Sequence, residues 1–129
     1  MTERLQIYRC DVCGNTIQVL SSGVGELVCC GKSMILQDIQ YSKTGENNIH
    51  TPILHSNEAD NYVEVLAHPM KDEHFIEFIE VYKKDNSELL IKFFEPEQEP
   101  KFMFNKSKTS ELEVFDYCNI HGLWGRNNG

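Results

Sequence analysis

The chain has no apolar run approaching the length of a membrane span, which argues against a transmembrane protein. Its opening stretch, MTERLQIYRC, lacks the apolar segment a signal peptide needs, so the expected location is the cytoplasm. Clustered lysine and arginine are missing too. Twelve basic residues stand against 20 acidic ones, for a net charge of −8 and a pI near 5.0, and phosphate binding needs the opposite balance, so nucleic acid is not an expected partner. There is no internal repeat and no low-complexity tract. An even cysteine count is also lacking: five cysteines without a secretion signal argue against a disulfide scaffold and for metal binding.

What is present is distributed unevenly over the 129 residues. Residues 1–37 hold four of the five cysteines, four of the eight glycines and few large aromatics. Such a segment buries little apolar surface and needs a metal to hold a fold. Residues 38–129 hold all five histidines, all seven phenylalanines and the lone Trp124. This second part reads as β. Tyr62–Ala67, Phe75–Tyr82 (FIEFIEVY), Glu88–Glu95 (ELLIKFFE) and Glu111–Cys118 (ELEVFDYC) are rich in β-branched and aromatic residues, and the last of these is the expected final strand. The KKDNS stretch between the second and third runs suggests a hairpin. Residues 95–101, EPEQEPK, form a connector in which Pro96 and Pro100 argue against a central strand. Short strands separated by turn signals suggest an all-β chain with a β-sandwich.

The spacing Cys10-Asp11-Val12-Cys13-Gly14 lets two sulfurs face one ion, and Gly14 permits the tight turn that follows. Cys29 and Cys30 supply two more sulfurs. Adjacent cysteines cannot reproduce a second knuckle, so a distorted tetrahedron is expected, and Gly31 fits a cramped backbone there. A redox disulfide between Cys10 and Cys13, or plain buried thiols, are the alternatives. Four thiolates suit zinc or iron and leave no open position, which favours structural support or electron transfer over substrate chemistry. A second constellation is made by His50-Thr51-Pro52, His68-Pro69-Met70, His74, and Cys118-Asn119-Ile120-His121. Taken singly, each of these is as compatible with an ordinary surface or core residue as with a ligand.

Together these motifs resemble the desulfoferrodoxins, the two-iron class of superoxide reductase. CDVCG and the later CCG match the family's desulforedoxin-like module, while HPMKDEHFIEFIEV and YCNIHGLW match its catalytic-iron motifs. The resemblance implies a small iron module over residues 1–37, with Cys10, Cys13, Cys29 and Cys30 as ligands. It further implies an immunoglobulin-like β-sandwich over residues 38–129. There His50, His68, His74 and His121 become equatorial imidazoles and Cys118 the axial thiolate of a square-pyramidal ferrous site with its sixth position open. The implied activity is one-electron reduction of superoxide to hydrogen peroxide, with iron, two per chain, as cofactor and zinc as a possible substitute. The implied partners are a rubredoxin-like electron donor and a second copy in a homodimer. His55 matches no family ligand and reads as a surface residue. The family's Glu-Lys pair directly before the first histidine is replaced here by Asn48 and Ile49. Either catalysis runs without those groups, or Lys43 or Glu46 in the same glycine-containing loop substitutes for them. An electron-transfer or metal-sensing protein on the same scaffold is the competing reading.

Overall fold

The computed structural model describes residues 1–41, 50–56, 60–66, 68–104 and 111–125. Lys43, Glu46, Asn48 and Ile49 lie outside the described residues. The chain divides into two units, Met1–Asp38 and Ile39–Gly129. Among the described residues no helix is long and apolar enough to cross a membrane.

The first unit is built from five short strands: β1 (Ile7–Arg9), β2 (Thr16–Gln18), β3 (Val28–Cys29), β4 (Lys32–Ser33) and β5 (Ile35–Leu36). Strand β1 is central, flanked by β2 and β5, both antiparallel to it. Strands β3 and β4 form a separate hairpin, with Cys29 opposite Lys32. Its two-residue loop, Cys30-Gly31, has positive φ at both positions, 54° and 73°. That is the backbone of a type I′ turn, whose twist matches the flanking strands. Glycine takes this conformation freely. Cys30 does not, and holds a left-handed backbone in order to follow Cys29 around the corner. The buried apolar side chains of this unit are Ile7, Cys10 and Val19. Val12, Leu20, Val24 and Val28 are well exposed.

The second unit contains β6 (Pro52–Ser56), β7 (Asn61–Val65), β8 (Ile76–Lys83), β9 (Leu89–Phe93), β10 (Lys101–Phe104), β11 (Leu112–Cys118) and β12 (Gly122–Gly125). They form two antiparallel sheets, ordered β10-β7-β6 and β12-β11-β8-β9. The alternation of β7 puts Val63 and Val65 into the core. They meet Ile79 and Val81 of β8, Leu112 and Val114 of β11, and Phe104 of β10. This is a sheet-on-sheet sandwich closed by side chains from both inner faces. The expected strands therefore exist, but ELEVFDYC is not the last of them. Gly122–Gly125 returns antiparallel to it, with Cys118 opposite Gly122.

One irregularity positions the chemistry. Tyr117 pairs with Phe78, yet Cys118 pairs with Ile76, so Glu77 is an extra residue in β8. A bulge of this kind bends the strand and re-aims the side chains beyond it. Ile76 and Cys118 both reach the core face, each fully buried. The carbonyl of Glu77 accepts the N–H of Phe94 at 2.8 Å, which anchors the bend to the chain leaving β9.

Candidate metal centres

The first centre gathers Cys10, at the end of β1, Cys13 in the turn after it, and Cys29 and Cys30 of the hairpin, with all four sulfurs within 4.8 Å of one another. The Cys13 and Cys29 sulfurs are 3.5 Å apart and those of Cys29 and Cys30 are 3.9 Å apart. A tetrahedron with metal–sulfur bonds of ~2.3 Å has edges of about 3.8 Å, so the cluster fits one ion. All five cysteines are free thiols, so the Cys10–Cys13 disulfide is not formed. Gly14, with φ of 82°, closes the first turn, and its N–H donates to the Cys10 carbonyl at 2.9 Å. The backbone N–H groups of Cys13 and Val12 draw the Cys10 thiol down to about 6. Crowding by the Cys13, Cys29 and Cys10 sulfurs pushes Cys30 up to about 12. Four thiolates cannot coexist at this spacing without a cation to take up their charge.

The second centre lies at the bulged end of the sandwich. His50 precedes β6, His68 and His74 flank the loop between β7 and β8, and Cys118 and His121 close the turn from β11 to β12. His50, His74, Cys118 and His121 bring donor atoms within 4.8 Å of one another. His68 is not in that tight set, but its ring completes the circle. Ring centroids are 4.8 Å apart for His50–His68 and for His68–His74, 5.0 Å for His74–His121 and 4.8 Å for His121–His50. The His50–His74 separation is 6.4 Å, as expected for opposite corners. His50 Nε2 and His121 Nδ1 stand 3.0 Å apart. That is the separation of two nitrogens at right angles on one ion at ~2.1 Å.

The ring nitrogens are sorted by their surroundings. His68 Nδ1 lies 2.7 Å from the Pro69 carbonyl, which can only accept, so Nδ1 carries the proton and Nε2 keeps its lone pair. The Nε2 atoms of His68 and His74 are buried without a hydrogen-bond partner. Two buried bases without hydrogen-bond partners in adjacent rings are what a cation-binding site presents. Burial, then the neighbouring His68, His121 and His74, lowers His50 to about 4, and burial lowers His68 as well. Both are therefore neutral donors at physiological pH. Burial raises the Cys118 thiol, while the N–H groups of His121 and Ile120 oppose that shift. The N–H of His121 reaches the Cys118 sulfur at 3.4 Å.

His55 stays apart from this cluster. It is half-buried on β6, stacked on Tyr62 at 4.5 Å and paired with Glu64 at 2.9 Å, so it is a partnered strand residue rather than a plain surface one. Three residues to which the sequence assigned no role support the ligand turns. Asn119 accepts the Phe75 N–H at 3.0 Å and donates to the Glu73 carbonyl at 3.2 Å, gripping the chain on both sides of His74. Trp124 stacks on His50 with centroids 4.7 Å apart and planes at 13°. Gln40 donates to the His121 carbonyl at 2.6 Å. Asn119 and Trp124 sit inside the YCNIHGLW motif, but their partners are distant in sequence and no local pattern announces them.

The family model for desulfoferrodoxin matches residues 42–127, and the model for the desulfoferrodoxin N-terminal domain matches residues 2–36. A desulfoferrodoxin homolog from Archaeoglobus fulgidus is 40% identical over 126 residues, covering 96% of this chain and 98% of that protein. Among solved structures, the superoxide reductase from Treponema pallidum aligns with a TM-score of 0.72 at 18% identity, over 95% of this chain and 98% of that one, which shows a shared fold. A superoxide reductase (neelaredoxin) variant from Ignicoccus hospitalis aligns at 28% identity with a TM-score of 0.52, over 67% of this chain and 88% of that one. With both family models matched in chain order, and the cysteine and histidine clusters falling one in each matched region, the chain belongs to the desulfoferrodoxin family.

Proposed function

We propose that the chain is a superoxide reductase carrying iron in both centres. The observation that carries this reading is the ring of four imidazoles around a buried cysteine, in which the Nε2 atoms of His68 and His74 are buried without partners. The named activity of the Ignicoccus hospitalis relative supports the same reading. His50, His68, His74, His121 and Cys118 would hold the catalytic ion, and Cys10, Cys13, Cys29 and Cys30 the other. Iron in the five-residue site would supply one electron to superoxide, which leaves as hydrogen peroxide after taking up two protons.

The residues themselves do the preparation. Burial keeps His50 and His68 neutral, and the Pro69 carbonyl holds the His68 tautomer that points Nε2 inward. The Cys118 sulfur, buried and approached by the backbone N–H groups of His121 and Ile120, is set to bind as a thiolate once a cation offsets the cost of burial. A closed structural site would need only four donors, so a fifth beside four imidazoles favours substrate chemistry over scaffolding. The four-thiolate centre fits structural support or electron relay, with a small one-electron carrier of the rubredoxin type as donor and a homodimer as the assembly.

Two irons per chain are expected in the purified protein. Mixing the reduced protein with pulsed superoxide should yield one peroxide per iron oxidised at the second centre, without release of oxygen. Cys118→Ser should abolish the thiolate-to-iron absorption of that centre and leave that of the first. A ferrous centre that forms yet ignores superoxide would leave the electron-transfer reading, which the Asn48-Ile49 replacement favours.

A further inference from the structure

We propose that Trp124 is a positioning residue of the second centre: its indole face fixes the plane of His50 while its Nε1–H holds the backbone of His121. One side chain would thereby set two neighbouring imidazoles against each other. The inference rests on the metal-binding reading of that centre.

The geometry separates Trp124 from ordinary packing. The four contacts between neighbouring imidazoles cross steeply, at 69° for His50–His68, 75° for His68–His74, 70° for His74–His121 and 75° for His50–His121, and the opposite-corner pair His50–His74 is tilted at 38°. Only the Trp124–His50 pair, among these neighbours, is near parallel, at 13° and 4.7 Å. Its indole Nε1–H donates to the His121 carbonyl at 3.2 Å. The two groups it touches are adjacent at the site, with His50 Nε2 and His121 Nδ1 3.0 Å apart. The clamp thus joins residues 71 positions apart in the chain. Trp124 is only half-buried, so filling the core does not account for this placement.

A second group shares the load. Gln40 pairs with Trp124 in a parallel bridge, its N–H donating to Leu123 O at 2.9 Å and its carbonyl accepting from Gly125 N at 2.8 Å. That approach needs the bare backbone of Gly125, where a Cβ would come within 2.6 Å of Tyr41 Cε1 and 2.8 Å of Ile39 Cγ2. Gln40 Nε2 then donates to the same His121 carbonyl at 2.6 Å. When the indole N–H is lost the His121 carbonyl keeps the Gln40 donor, whereas the parallel stack on His50 is supplied by the indole itself. Losing the stack should therefore cost more than losing the indole N–H.

Trp124 is the only tryptophan in the chain and stacks on His50, so the indole emission arises beside this centre. The full-length protein, stripped of metal, would be titrated with ferrous ion without oxygen. Indole emission would be followed during the titration, and the absorption band that Cys118→Ser removes would be read on each sample after oxidation of the bound iron by a one-electron oxidant, with thermal unfolding as a check on folding. In the parent the emission should fall in step with the band. Trp124→Phe keeps a stacking face, and Gln40 still holds the carbonyl, so affinity should stay near the parent value. Trp124→Leu loses both contacts and should weaken binding by roughly 10–100-fold and shift the band, as loss of a ligand-orienting partner does. Parent-like affinity and spectrum in both variants would overturn the proposal, and so would equal losses in both. Failure of the parent to show any band removed by Cys118→Ser would instead sink the reading of the centre itself.

Discussion

A neutral imidazole and an ionised thiolate make opposite demands on one small buried volume, and the residues around the second centre divide them by position. His50 and His68 are pressed toward the neutral form by burial, whereas Cys118 must be helped toward the charged one. This has a consequence for the metal-free protein. His50 is lowered from 6.5 to about 4, so on acidification the unfolded chain takes up its proton first. Stability is then full above about 6.5 and declines as pH falls toward 4. The thermal midpoint of the metal-free protein should drop across that window, and His50→Gln should flatten the decline; an unchanged slope would mean that His50 is not the group responsible. The candidate ligands were legible only through the resemblance of CDVCG, CCG, HPMKDEHFIEFIEV and YCNIHGLW to the family's motifs, because each residue taken singly fits an ordinary surface or core position as well. Trp124 and Gln40 were not, since what makes them matter is a partner brought close only by folding.

Among elements, the turn from β11 to β12 and the loop before β8 are held together by Asn119. Its side chain spans Glu73 and Phe75, and its own N–H donates to the Phe75 carbonyl at 3.2 Å. Asn119→Ala leaves the Phe75 N–H and the Glu73 carbonyl without these partners. It should lower stability by about 1–3 kcal/mol and weaken ferrous ion binding at the second centre. Asn119→Asp, which keeps the acceptor, should recover part of the stability; chemical denaturation and metal titration check both. The long strands were readable from composition because β8 and β11 are buried on both faces. Strands β6 and β10 escaped notice because prolines begin or precede them. Pro52 opens β6 and Pro100 stands just ahead of β10, and both strands lie at sheet edges, where a missing N–H is tolerated. Strand β12, GLWG, is framed by glycines that read as a loop. The bulge at Glu77 has no sequence signature, since it arises only when β8 and β11 are aligned.

At the scale of the whole chain, the two units differ in how they are held together. The first has only Ile7, Cys10 and Val19 as buried apolar side chains, so its fold depends on the four-thiolate centre. The second has a two-sheet core of its own. Chelation of the first metal should therefore abolish amide-exchange protection in β1 to β5 while protection in β8 and β11 persists. Simultaneous loss in both units would contradict this independence. Net charge matters at the same scale. A protein of net charge −8 repels an anionic substrate unless a local cation offsets the field. If Lys43 serves that purpose, Lys43→Ala should lower the second-order rate with superoxide and flatten its dependence on ionic strength; stopped-flow traces identical at every salt concentration would remove Lys43 from consideration. The partition of donors has an evolutionary corollary. Among the described residues, all four sulfurs of the first cluster come from Met1–Asp38, and the grouped His50, His74, Cys118 and His121 of the second, with His68 beside them, come from Ile39–Gly129. Neither half borrows a donor from the other, so each can be inherited, lost or grafted onto another protein as a complete part.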